Sequence, residues 1–160
     1  MRQTRTTLAL AVIAAAGLAY GVAAQQKAPA TASALPKVTV YKTSSCGCCR
    51  LWVDYMKRNG FDVQAMDVSS ADVRAVSKAA GLRDEDASCH TAKIGNYTVE
   101  GHVPASDIKR MLTEKPAGVV GLSAPGMPQG SPGMEQGTKE PYDVVAFTKD
   151  GKTTVFAKHK

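Results

Sequence analysis

The sequence predicts an α/β domain of element order βαβα-ββα, and three observations predict it. Short β-branched or apolar runs alternate with segments of helical apolar spacing. Glycine stops and cap residues bound the helical segments, as at Gly60, Ser69, Gly81 and Pro104. Two turn signals, Gly95-Asn96 and Lys149-Asp150-Gly151, separate paired strand-like runs.

The chain has 160 residues and a net charge of +6, from 20 Lys and Arg against 14 Asp and Glu. Its first segment belongs to targeting rather than to the fold. Arg2 and Arg5 precede an apolar run over residues 8–24, which reads as a secretory signal peptide cleaved after Ala24. A run of about 17 residues is at the short end of what crosses a bilayer, so an uncleaved membrane anchor is the alternative; with cleavage no stable membrane span is expected. Neither a twin arginine nor a lipid-accepting cysteine accompanies it. Cleavage leaves 18 basic against 14 acidic side chains, a mild +4. The basic residues are scattered without interleaved aromatics, so a nucleic-acid surface is not expected.

Residues 25–36, rich in Ala, Pro, Ser and Thr, read as a flexible linker leading to one domain over 37–160. Strand one covers 37–41. Leu51, Trp52, Tyr55 and Met56 then fall at helical spacing, and Gly60 stops the helix. Residues 61–68 form a second strand, and Ser69-Ser70-Ala71-Asp72 caps a helix that runs to Ala80. Two strands around a helix of that length make a right-handed parallel βαβ unit. Residues 91–94 and 97–100 flank Gly95-Asn96 as a hairpin, and Pro104 opens a helix to Glu114. From 116 to 137 ten of 22 residues are Gly or Pro, so 116–141 is expected to be a long Gly/Pro/Met loop. Residues 142–148 and 153–158 form a C-terminal hairpin, within a 142–160 segment.

The chemistry concentrates between the first strand and first helix, in Cys46-Gly47-Cys48-Cys49. A C-x-x-C pair at a helix N-terminus meets free backbone N–H groups that stabilise thiolate, which favours redox chemistry and soft-metal ligation alike. With the element order above, this motif resembles the thioredoxin-like fold. In glutaredoxin-like members a cis-proline loop before the third strand lies beside the C-x-x-C. Here Ser88-Cys89-His90 takes that place, so Cys89 and His90 are expected to approach the cluster. The replaced proline and the additional thiol both depart from a thiol-disulfide oxidoreductase. Inert disulfides are the alternative. Cys48 and Cys49 have Cα atoms only ~3.8 Å apart, which strains a vicinal bridge, and three thiols in four residues gather donors at one spot rather than tying distant segments.

Soft thiolates and thioethers favour Cu(I). Four thiolates on a single Cu(I) leave a charge near −3 that is costly to enclose, whereas several sulfur-bridged Cu(I) ions neutralise it, so a multinuclear cluster is expected. Met127 and Met134 occupy equivalent positions in a short repeat, 124–130 followed by 131–137. They read either as outer copper ligands or as gap-fillers over the sheet. His102 either faces the cluster or caps a turn, and ranks below His90. Trp52 is read as core, and His159, next to the chain end, as solvated.

CGCC followed by Trp52, SCHTA over 88–92, EGHVPA over 100–105 and GLSAPGMPQGSPGME over 121–135 together resemble the exported CopG-type copper-resistance family. The similarity runs from Lys37 to the C-terminus. It implies a thioredoxin-like domain that binds Cu(I) through sulfur in the Gram-negative envelope. By matching position the ligands are Cys46, Cys48, Cys49 and Cys89, and His90, His102, Met127 and Met134 lie in shared motifs. The expected function is a periplasmic Cu(I)-binding protein that sequesters or transfers copper and contributes to copper resistance, with copper ions and other periplasmic copper-handling proteins as partners. The competing readings are a thiol-disulfide oxidoreductase or copper-redox enzyme using Cys46 and Cys49, and a structural domain with inert disulfides. No carboxylate dyad, nucleophile triad or phosphate loop is evident.

Overall fold

Burial alternates along β1 (Val38–Lys42): Val38 and Val40 are fully buried and Thr39 and Tyr41 only partly so, which commits one face of the strand to a helical layer. The computed structural model describes residues 35–160. The expected signal peptide and the linker up to residue 34 lie outside the described residues.

Helix α1 (Gly47–Arg58) begins four residues before Leu51, because Cys46 is its N-cap and accepts a hydrogen bond from the Cys49 N–H at 3.3 Å. Its buried stripe is Cys49, Trp52, Val53 and Met56. Leu51, expected on that stripe, is 42% exposed instead. Strand β2 (Val63–Asp67) pairs with β1 in parallel, as the βαβ reading requires. Helix α2 (Ser70–Ala79) starts on Ser69, whose Oγ accepts from Asp72 N at 3.1 Å. A single 3-10 turn (Asp84–Asp86) leads to β3 (His90–Ile94), which forms the expected hairpin with β4 (Tyr97–Glu100). Pro104 precedes α3 (Ala105–Glu114).

The segment 116–141 departs from expectation. Residues Val119–Ser123 form a strand, β5, parallel to β4, so the loop proper begins only after it. The Gly and Pro density that marks this stretch as loop hides Val119-Val120-Gly121-Leu122. Gly121 belongs inside the sheet because a Cβ there would run into the Thr98 carbonyl and the Phe147 ring. The C-terminal hairpin, β6 (Tyr142–Thr148) and β7 (Thr153–His159), is as expected and pairs onto β5.

The seven strands make one mixed sheet of order β2-β1-β3-β4-β5-β6-β7. The first four strands with three helices are the α/β thioredoxin-like arrangement, which the C-terminal half extends by a β4-α3-β5 unit and a hairpin. Trp52 and Met56 of α1 and Ile108 and Met111 of α3 pack with Val38, Val40, Ala92, Ile94, Val99 and Leu122 into the main core. A smaller cluster of Ala80, Leu82 and Phe147 covers the other face beyond the end of α2. Trp52 is fully buried and donates its indole N–H to the Val103 carbonyl at 3.0 Å, which ties α1 to the segment before α3.

Candidate metal centre

Three segments end at the same place: the N-cap turn of α1, the residue before β3, and the turn between β4 and α3. The sulfurs of Cys46, Cys48, Cys49 and Cys89 all lie within 4.8 Å of one another. Cys46 Sγ is 3.6 Å from Cys48 Sγ, and Cys89 Sγ is 3.9 Å from Cys48 Sγ and 3.5 Å from Cys49 Sγ. Cys46 and Cys49 are joined as a disulfide, with Cα atoms 5.3 Å apart, and Cys48 and Cys89 are free thiols.

The loop before β3 is held in place by a buried acid. Glu100, fully buried, accepts from Ser88 N at 2.8 Å and from the Thr91 hydroxyl, which brackets Cys89 on both sides. Burial pushes the Glu100 carboxyl up from its ordinary value and these two donors oppose the shift. Burial, with the neighbouring Cys48, pushes the Cys89 thiol up to about 12, so without a metal it is protonated.

A second group of donors lies beneath the sulfurs: Cys89, His90 and His102 also fall within 4.8 Å of one another. Both imidazoles are fully buried. His102 Nε2 is 3.1 Å from Cys89 Sγ, and His90 Nδ1 is 3.4 Å from it. His102, ranked lower from sequence, is therefore the nearer of the two. Its Nδ1 lies 2.8 Å from the Pro132 carbonyl, which can only accept, so Nδ1 carries the proton and Nε2 turns its lone pair toward Cys89. This is how a ligating imidazole is oriented in metal sites. Burial lowers the basicity of both histidines, and for His90 the lowering is large, so both rings are neutral and able to donate to a metal. His90 stacks obliquely on Trp52 at 4.6 Å and meets the His102 ring edge-on at 5.0 Å. Its Nε2 is buried with no hydrogen-bond partner. Trp52 is thus core, as expected, and also the wall against which His90 rests.

The two methionines of the repeat part company. Met134 is half-buried and lines a groove beside Cys48, whereas Met127 is 52% exposed and does not line it. What brings the second repeat inward is Gly133, at φ +86°, where a Cβ would stand 2.9 Å from both Cys48 O and Trp52 N and 3.3 Å from His102 Nδ1. Only glycine allows so close an approach in that backbone conformation. The Pro132 carbonyl, Gly133 and Glu100 hold the surroundings of the centre in place, and sequence reasoning did not single them out. The repeat drew attention to its methionines, and nothing in the sequence marks one carbonyl as a histidine's partner. His159, expected in solvent, is far from this centre in role: its Nε2 lies 2.8 Å from Asp107 Oδ2 and its ring stacks on Tyr142 at 4.8 Å.

Four sulfurs and two neutral imidazoles without a carboxylate in either donor group form a soft set that suits copper. The family described as "Protein of unknown function, DUF411" matches residues 86–134, which hold Cys89, both buried histidines and both repeat methionines. Two solved structures, described as forms 1 and 2 of copper resistance protein CopG, superpose with a TM-score of 0.71 at 39% sequence identity. They cover 78% and 79% of this chain and 98% and 99% of their own. No curated protein matches the chain. At that identity over nearly the whole length of the solved structures, the chain belongs to the CopG-type copper-resistance family.

Proposed function

We propose that the protein binds Cu(I) as a multinuclear thiolate cluster in the periplasm and sequesters or transfers it in copper resistance. The observation that carries this reading is the convergence of four cysteine sulfurs within 4.8 Å, with His102 Nε2 turned toward Cys89, the sulfur that meets those of Cys48 and Cys49. When the Cys46–Cys49 bond is reduced, Cys46, Cys48, Cys49 and Cys89 act as the sulfur ligands, several Cu(I) ions offset their charge, and His102 and His90 supply nitrogen from below. Met134 contributes a thioether at the groove. Met127, the exposed methionine of the first repeat, is the other candidate thioether. Residues 1–24 serve as the export signal, 25–36 as the tether and 37–160 as the copper-binding domain, with other periplasmic copper-handling proteins as exchange partners.

The Cys46–Cys49 disulfide favours a second reading, a thiol-disulfide or copper-redox activity of that pair. Cys48→Ser separates the two. Under the copper reading it lowers the number of Cu(I) ions bound by the reduced protein and leaves the Cys46/Cys49 reduction potential in place. Unchanged copper capacity in Cys48→Ser, with disulfide reductase activity in the unaltered chain, supports the redox reading instead.

A further inference from the structure

A groove of about 610 Å³ runs along the first two turns of α1, a volume within the range of small-molecule sites, roughly 300–1,000 Å³. Its walls include Cys48, Arg50, Leu51, Asp54, Met134 and Gln136. Of the four cysteines, Cys48 alone lines it, and Cys48 is a free thiol while Cys46 and Cys49 are joined. The groove therefore meets the sulfur cluster at one of its two free thiols.

The rim carries two charges of opposite sign. Arg50 gives one N–H to the Ser44 carbonyl at 3.2 Å, and among the described residues neither Arg50 nor Asp54 belongs to an ion pair. Residues four apart on a helix hold their Cβ atoms about 5–6 Å from each other on one face. A surface that recognises an anion or a cation alone does not need both. An α-amino-acid head does, because its ammonium and carboxylate sit on one carbon. Beyond that rim the exposed apolar side of Leu51 and the sulfurs of Met134 and Cys48 suit the rest of a thiol-bearing ligand.

We propose that this groove is the port through which copper enters, and that it docks a small cysteine compound with a free α-amino-acid head carrying Cu(I) on its thiolate. Arg50 takes the carboxylate, Asp54 the ammonium, and Met134 and Cys48 meet the copper. This rests on the copper-binding reading above and names its donor. Transfer is a ligand exchange: a Cys48 Sγ–Cu bond forms as the donor's S–Cu bond breaks, the Cys48 thiol proton leaves with the departing thiolate, and copper stays Cu(I). The opposite charges set the head's orientation.

The test is an amide NMR titration of the mature, disulfide-closed protein with S-methyl γ-glutamylcysteinylglycine and, separately, S-methylcysteine. Both carry the head, and neither can reduce the disulfide or bridge copper. Saturable shifts confined to Arg50, Leu51, Asp54 and Gln136 with the first probe assign a γ-linked peptide, and with the second alone a free amino acid. Arg50→Gln and Asp54→Asn each weaken binding about threefold to tenfold, and added salt weakens it in the unaltered protein. Three results each overturn the port: no saturable shift with either probe, shifts that ignore both substitutions, or protection of these amides only by a folded copper-donor protein. Chelator-buffered Cu(I) uptake by the unaltered, reduced protein is measured alongside. Intact uptake with no probe binding overturns the port alone, whereas absent uptake overturns the copper reading on which it rests.

Discussion

The three histidines occupy two regions and have opposite surroundings. At the cysteine end of the sheet, His90 and His102 are fully buried, each with one ring nitrogen facing the Cys89 sulfur and neither hydrogen-bonded to a carboxylate. At the C-terminal hairpin, His159 pairs with the Asp107 carboxylate and stacks on Tyr142. A buried imidazole beside thiols, fixed by a carbonyl on its other nitrogen, is prepared to donate a lone pair. An imidazole beside a carboxylate is prepared to give up an N–H, and here it fastens the last strand to α3. The same residue type faces sulfur in one place and clasps a carboxylate in the other, and its partner decides which.

The comparison is sharpest at Cys89. Cys89→Ser removes the one sulfur that both His90 and His102 approach and that also meets Cys48 and Cys49. Copper capacity of the reduced protein is expected to fall to one equivalent or none, read by chelator competition. His159→Ala is expected to leave that capacity unchanged. Capacity lost in both variants, or in neither, breaks the division between the two regions.

Gly133→Ala tests how the buried imidazole is held. Placing a Cβ at φ +86° against Cys48 O and Trp52 N is expected to destabilise the fold by roughly 1–3 kcal/mol, measured by urea unfolding. It is also expected to disturb the His102 ring, whose Nδ1 lies 3.3 Å from that Cβ, visible in the imidazole NMR resonances. A variant as stable as the parent with unmoved His102 signals contradicts the close approach of the 131–134 segment.

His159→Ala is the milder lesion. Losing one half-buried hydrogen bond and a stacked ring costs about 1 kcal/mol, seen as a lower urea midpoint. Tyr142 adds a pH signature to this region. Burial first, then the Asp107 charge, raises its phenol to about 12 from a reference of 10.0. Above pH 10 the unfolded chain releases that proton before the folded one does, so stability falls as pH rises through the window from 10 to about 12. Tyr142→Phe is expected to flatten the alkaline slope of stability, a small effect because the side chain is only half-buried. An unchanged slope would place the alkaline loss elsewhere.

The fold was legible where local rules and packing agree. Ser69 caps α2, Gly95-Asn96 turns the β3-β4 hairpin and Pro104 opens α3, each as the residue type demands. Strand β5 was hidden because its glycine answers a steric demand from β4 and β6 that no local window contains. At the centre, the four cysteines were legible as a cluster because clustering of thiols is itself a sequence signal. The order of the two histidines was not, because it depends on the Pro132 carbonyl, 30 residues from His102 in sequence. Leu51 matched a helical stripe by spacing yet lies outside it, since α1 begins at Gly47 and its buried face is set by Cys49 and Trp52.

The most direct test of the central claim is an anaerobic Cu(I) titration of the reduced mature protein against a competing chelator, following the ultraviolet thiolate-to-copper charge-transfer band. The account predicts tight uptake of three or four equivalents that is lost on cysteine substitution. A single copper held by two sulfurs, or weak uptake without the band, would contradict it.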